Sequence, residues 1–173
     1  LLKVFNVLIN YFYAMNTAYL LLGGNMNDPK KQLEAAAAHI AQQIGRITAV
    51  SSFWQTAAWG KTDQPDFLNQ ALAVETTLDP QELLAEILRI EESMGRKRKE
   101  KNDPRIIDID ILLYEDRMIG SEELTIPHPF LAVRRFALEP LNEIAPNRVH
   151  PGEGRTMAQL LATCPDTLAV KKI

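Results

Sequence analysis

The sequence predicts an α+β fold in the order β-α-β-β-α-β, and three observations carry that reading. Short runs rich in branched apolar residues recur at 17–22, 46–56, 67–77 and 104–113, as half-buried strands do. Two longer stretches, 29 to about 44 and 80–94, instead repeat their apolar residues at helical spacing. Each of those opens on an Asp-Pro pair and stops at a glycine, which are helix start and stop signals. This order makes a ferredoxin-like split β-α-β sheet with both helices on one face. The other face then needs cover or a ligand.

Taken in order, strand one ends at Gly23-Gly24-Asn25, which reads as a turn. Asn27 or Asp28 starts the alanine-rich first helix at Pro29, and Gly45 ends it. RITAVSSFWQT (46–56) reads as one strand, AAWGKTDQPD as a loop, and FLNQALAVETT (67–77) as the third strand. In the second helix Leu83, Leu84, Ile87, Ile90 and Met94 form the apolar stripe, with Gly95 as the C-cap. Residues 115–173 offer partial cover for the second face: a short strand at 124–126 and helices around 134–144 and 156–162.

The composition narrows the class of protein. Hydrophobic residues at 46% and charged residues at 24% are ordinary for a packed globular chain and exclude wholesale disorder. A net charge of −3 argues against a general nucleic-acid binder. The positive charge is local, at 96–105 and at Arg134-Arg135, which suits a small anionic ligand better than a duplex. Cys164 is the only cysteine, so an intrachain disulfide is excluded. The first 14 residues, LLKVFNVLINYFYA, are apolar but too short for a membrane span of about 20 residues. They read as an upstream extension, with one domain over 15–173. The expectation is a cytoplasmic monomer with neither a nucleic-acid nor a membrane partner.

The chemistry concentrates in PRIIDIDILL (104–113). On a strand, side chains alternate faces, so Asp108 and Asp110 project together, about 6–7 Å apart. Ile107, Ile109 and Ile111 take the opposite face. A lone Asp-x-Asp is more often a solvated strand face than a site. Here the strand is apolar on both faces, where adjacent carboxylates are costly unless a cation offsets them. Mg²⁺ is commonly held by one or two carboxylates, waters and substrate phosphates. Just upstream lies Gly95-Arg96-Lys97-Arg98-Lys99-Glu100-Lys101, and Arg105 precedes the strand. Cations for phosphate beside carboxylates for metal point to nucleoside triphosphate chemistry. Glu91, near the C-terminal end of helix two, is opposed by the helix dipole and gains most from a cationic or donor partner. A surface lysine or a nucleotide group would serve.

Gly23-Gly24-Asn25, SSFWQT…DQPDFLNQALAVET, RIEESMGRKRK, PRIIDIDIL and LTIPHP…RRFALEPLNEIAP together resemble the 6-hydroxymethyl-7,8-dihydropterin pyrophosphokinases. The segments come in the family's order and span 17 to 160. The resemblance implies transfer of diphosphate from ATP to the hydroxymethyl oxygen of a reduced pterin, with release of AMP, in folate biosynthesis. It implies two Mg²⁺ ions on Asp108 and Asp110. It places Arg98 in a mobile catalytic loop with Arg96, and Arg105 at the loop's base. Glu91, His128 and Arg134 fall on further nucleotide-contacting positions, and Ile111 on one that meets adenine through its backbone. Phe67 and Phe136 match a pair of rings that sandwich the pterin. Asn69 matches a carboxamide that reads the ring's polar edge, with Thr56, Ala57 and Trp59 at the pocket wall.

The chain departs from some members at several points. Phe67 stands where they have tyrosine, Ala57 and Ala58 where they have prolines, and Trp59 where they have a smaller apolar residue. The loop KEKNDPR is one residue shorter and lacks a tryptophan, which bears on the closed shape of the lid. Two rivals use the same sheet. A palm-type nucleotidyl transferase also puts carboxylates on a split β-α-β sheet but releases pyrophosphate. An RNA-recognition module needs exposed central aromatics and a basic surface, where this chain has aspartates. The backbone of His128 is restrained between two prolines, and the resemblance implies a phosphate contact for it and not a general base. His39 and His150 read as surface residues.

Overall fold

A computed structural model describes residues 15–57, 64–96 and 104–173. The strands are β1 (Asn16–Gly24), β2 (Gly45–Val50), β3 (Trp54–Thr56), β4 (Phe67–Thr76), β5 (Asp108–Tyr114), β6 (Ile119–Gly120), β7 (Thr125–Ile126) and β8 (Val170–Lys172). The helices are α1 (Pro29–Gln43), α2 (Pro80–Ser93), α3 (Arg135–Ile144) and α4 (Met157–Ala162), with a 3-10 turn at Leu131–Val133. The main sheet runs β5-β1-β4-β3-β8, with β2 also paired to β4. All of these pairings are antiparallel. β6 and β7 form a separate ribbon.

Alternation along the strands builds two cores. Leu20, Leu22, Leu72, Val74, Ile107, Ile109 and Ile111 face α1 and α2, against Leu33, Ile40, Leu83, Ile87 and Ile90. Leu21, Leu112 and Leu113 face the other way, against Leu131, Leu138, Leu141, Met157 and Leu160. Residues beyond β5 therefore do cover the second face, as expected. They cover the part behind Leu21 and stop short of the β1 end that carries Gly23. Both α1 and α2 begin as their sequence foretold. Asp28 accepts from the Lys31 amide at 3.3 Å, and Asp79 forms a full capping box with Glu82. Gly95, at φ +87°, ends α2 in the left-handed region that favours glycine.

Several expectations need correction. The single strand at 46–56 is two, because Ser51 interrupts the ladder. Its hydroxyl accepts from the Ala71 amide at 2.9 Å, and its carbonyl accepts from Gln70 Nε2 at 3.0 Å. Regular strand β5 starts at Asp108, and its register against β1 shifts near Leu20. That shift puts both Leu112 and Leu113 on the second face and turns Tyr114 back to the first. α1 does stop at Gly45, which also starts β2, where a Cβ would meet Glu75 O at 2.1 Å. His150 is buried, with Nδ1 accepting from the Gly152 and Glu153 amides.

Gly23 and Gly24 lie inside β1 and not in a turn. Here the reason for glycine is the close approach of a neighbouring strand. A Cβ on Gly24 would sit 2.5 Å from Ile106 O, a backbone atom that cannot yield without moving the start of β5. Gly24→Ala is expected to destabilise the fold by about 1–3 kcal/mol, the usual scale of overpacking. Urea unfolding measures it, and an unchanged midpoint would show that β5 is free to shift.

Candidate active site

Strand register alone assembles the site. Gly23 of β1 pairs with Asp108 on one side and with Asn69 on the other, and Asn69 pairs with Trp54. Directly paired residues share a face, so a carboxylate, a bare glycine and a carboxamide lie in one row. With strands about 4.8 Å apart, Asp108 and Asn69 stand roughly 10 Å apart across the glycine. In the next row Leu21 pairs with Asp110, so both aspartates share a face as their spacing foretold. A Cβ on Gly23 would come within 2.9 Å of Asn69 Oδ1. The missing side chain is what lets the carboxamide sit there.

An open cleft lies over this row. Leu21, Gly23, Thr56, Ala57, Phe67, Asn69, Arg105, Asp108, Asp110, Arg134 and Phe136 line it. Most of the side chains picked from the sequence therefore meet in one place, on the face opposite α1 and α2. Asn69 is buried and donates through Nδ2 to Thr56 Oγ1 at 3.0 Å. That bond fixes which way the amide points and leaves Oδ1 toward Gly23. The Arg105 guanidinium lies 5.1 Å from the Phe67 ring centre, and that of Arg134 5.6 Å from Phe136 and 4.6 Å from Phe130.

A chain of charges runs behind the aspartates. Glu91 is buried at the end of α2 and accepts from the Ile109 amide at 2.7 Å. It also pairs with Arg96, which reaches Asp108 Oδ1 at 2.6 Å. Arg105 Nε lies 2.9 Å from Asp108 Oδ2. Glu91 thus gains a cation and a backbone donor, from Arg96 and β5 and not from a surface lysine. Burial nevertheless raises its pKa above the ordinary range, against the pull of Arg96. Burial and the Asp108 carboxylate push Asp110 up to about 7, against the pull of Arg105 and Arg134. Asp110 is thus a carboxylate that a cation held beside it would stabilise. Among the described residues no cluster of three or more His, Cys, Asp or Glu side chains could hold a metal. Two carboxylates on one face suit an ion that brings its remaining ligands with it, as Mg²⁺ does with waters and phosphates.

The other sequence-picked residues lie around this centre. Ile111 packs into the helix-side core, so only its backbone is available to a ligand. His128 sits beside β5, its amide donating to Leu112 O at 2.9 Å. Burial and Arg134 lower its pKa to about 4. Its Nδ1 accepts from the Phe130 amide at 3.2 Å, which assigns the ring proton to Nε2. The ring thus presents Nε2–H as a donor, which a phosphate contact could use. Arg98 and Trp59 lie outside the described residues. Sequence reasoning missed Asn25. It is buried and ties three segments together, accepting from the Arg105 amide at 3.0 Å and donating to Gln64 Oε1 and Pro65 O, both at 3.0 Å. The only signal was its place directly after the double glycine.

Carboxylates, guanidinium groups and flanking rings in one cleft are the equipment of a transferase that moves a phosphate-bearing group onto a flat acceptor. The family description 7,8-dihydro-6-hydroxymethylpterin-pyrophosphokinase (HPPK) matches residues 19–146. The chain belongs to that family. It is 45% identical over 149 residues to a Methylorubrum extorquens 2-amino-4-hydroxy-6-hydroxymethyldihydropteridine pyrophosphokinase, covering 86% of this chain and 93% of that one. Its identity to the Aquifex aeolicus protein of the same name is 44% over 137 residues, with 79% and 85% covered. A crystal structure of wild-type Plasmodium falciparum HPPK-DHPS with pteroate shares the fold at a TM-score of 0.69 and 19% identity. That alignment covers 86% of this chain and 44% of the larger one.

Proposed function

We propose that this protein transfers the β,γ-diphosphate of ATP to the hydroxymethyl oxygen of 6-hydroxymethyl-7,8-dihydropterin and releases AMP, a step of folate biosynthesis. The observation that carries the reading is the single row Asp108, Gly23, Asn69. It sets a charge-handling pair beside a slot with an amide at its edge and rings at its sides.

In this reading Asn69 and Thr56 bind the polar edge of the pterin, and Phe67 and Phe136 stack on its faces. Arg105 and Arg134, stacked on those rings in the structure, exchange ring contact for phosphate oxygens when both substrates are bound. Asp108 and Asp110 would hold Mg²⁺, expected as two ions, which would supply charge neutralisation for the phosphates and acidify the attacking hydroxyl. Arg96, fixed by Glu91, keeps Asp108 in place. Arg98 reaches the transferring group from its loop, and His128 Nε2 donates to phosphate. No side chain is needed as a strong base, since reactions of this kind depend mostly on positioning and charge. The chain acts as a monomer within residues 15–173. Among the described residues no helix is long and apolar enough to cross a membrane.

The test is to incubate the protein with ATP, Mg²⁺ and the pterin and to identify the nucleotide product. AMP formed one-for-one with pterin consumed supports the reading. Released pyrophosphate would move the protein to the nucleotidyl transferases. Within the slot, Phe136→Ala is expected to weaken pterin binding by about 1–3 kcal/mol, the scale of one lost stacking partner. Titration calorimetry with a non-hydrolysable ATP analogue present reads it. An unchanged affinity would remove Phe136 from the slot.

A further inference from the structure

The slot has two walls from different parts of the chain. Phe136 belongs to the first turn of α3, while Thr56 and the Asn69 amide it orients belong to β3 and β4. β3 is only three residues long, and its outer neighbour β8 is equally short. Few ladder bonds therefore fix this strand against the helix.

Glu143 lies on the last turn of α3, seven residues beyond Phe136. At 3.6 residues per turn the two side chains share one face of the helix, about 10 Å apart along its axis. The Glu143 carboxylate accepts from the Ser52 amide at 3.1 Å, Ser52 Oγ at 2.8 Å and Trp54 Nε1 at 2.9 Å. It also accepts from Lys172 Nζ of β8 at 2.8 Å. One carboxylate thus joins α3 to the residues just before β3, to β3 itself and to β8. Trp54 is the register partner of Asn69, and Thr56 follows it by two residues. The C-terminal end of a helix disfavours a negative charge, so nothing in α3 itself calls for an acid here. Burial would raise this carboxyl, and the bonds from Lys172, Ser52 and Trp54 outweigh that and hold it below the ordinary range.

We infer that Glu143 is a positioning residue for the planar substrate: it clips α3 to β3 and so sets the separation between Phe136 and the Thr56–Asn69 edge. The nucleotide groups on β5 and α2 lie across the sheet from this clip; of the phosphate-binding groups only Arg134, the N-cap residue of α3, belongs to the clipped helix. The inference rests on the proposed pterin reaction.

Three variants test it: Glu143→Ala, Glu143→Gln and Trp54→Phe, with KM for pterin and for ATP measured separately and the thermal midpoint alongside. A loosened slot in Glu143→Ala is expected to raise the pterin KM on the order of tenfold, the kind of loss that small misplacement of a binding group produces. The ATP KM is expected to rise much less, within about threefold, because Arg96, Arg105, Asp108 and Asp110 are untouched and only Arg134 sits on α3. Glu143→Gln, which keeps an acceptor for Ser52 and Trp54, recovers most of the pterin KM. Trp54→Phe, which removes only one donor and carries little risk to folding, moves the pterin KM in the same direction by less. Equal rises in both KM values, or a lowered midpoint with the parent's pterin KM, would make Glu143 a plain structural residue and overturn the inference. If the parent forms no AMP from the pterin, the proposed function fails first and this inference with it. If the parent turns over and Glu143→Ala keeps the parent's pterin KM, only the clip fails.

Discussion

Asp110→Ala is expected to lower turnover by at least ~10³-fold while leaving the protein folded, on the scale of losing a principal group that stabilises transition-state charge. Asp110 shares a strand face with Asp108 and is pushed up to about 7 by burial and by that neighbour. Ionised in the free protein it gains little from the fold, so its removal leaves the thermal midpoint unchanged or raised. The two readouts therefore separate. Turnover is followed by AMP formation, and stability by thermal melting with and without Mg²⁺ and a non-hydrolysable ATP analogue. Mg²⁺ with the analogue is expected to raise the parent's midpoint and to raise the variant's less. Asp108→Ala is expected to lose as much turnover but also some order, since Arg105 loses its carboxylate and Arg96 keeps only Glu91. Near-parental turnover in Asp110→Ala would remove the metal assignment.

Asn69→Leu is expected to weaken pterin binding by about 3 kcal/mol or more, because the polar edge of a buried heterocycle is left without its partner. The substitution is close in volume, and the lost bond to Thr56 is a local one, so the fold should survive it. Phe67→Tyr, which adds only a hydroxyl at the ring's edge, is expected to bind nearly as the parent does. Calorimetry on the pair ranks them. A parental affinity for Asn69→Leu beside a failing Phe67→Tyr would place the pterin elsewhere.

Much of this was legible in the sequence because it depends on period and punctuation. Alternation in IIDIDI assigned Asp108 and Asp110 to one face and Ile107, Ile109 and Ile111 to the other, and the cleft and the helix-side core follow that assignment. Asp28, Asp79 and Gly95 announced helix ends through local chemistry that needs no tertiary context. What escaped depends on the register between distant segments. Gly23 and Gly24 read as a turn because glycine is ambiguous: the same residue serves a positive φ or a close approach, and only the partner strand decides which. Ser51 looked like any strand serine until its hydroxyl was seen taking the Ala71 amide. His150 looked exposed because its partners are the amides of its own turn at Gly152 and Glu153. Glu91 announced its need for a cationic or donor partner through the helix dipole, but not that Arg96 and the Ile109 amide would supply it. Asn25 and Glu143 act by joining segments far apart in the chain, and no local pattern marks such a residue.

The central claim is that one face of the sheet brings a metal-bearing carboxylate pair and a pterin slot into a single cleft. The most direct measurement is a crystal structure of the complex with Mg²⁺, a non-hydrolysable ATP analogue and 6-hydroxymethyl-7,8-dihydropterin. The account predicts the pterin ring between Phe67 and Phe136 with its polar edge on Asn69, and metal density against Asp108 and Asp110. It also predicts Arg105 and Arg134 turned from the rings to phosphate. A pterin bound outside that slot, or metal held without either aspartate, would contradict it.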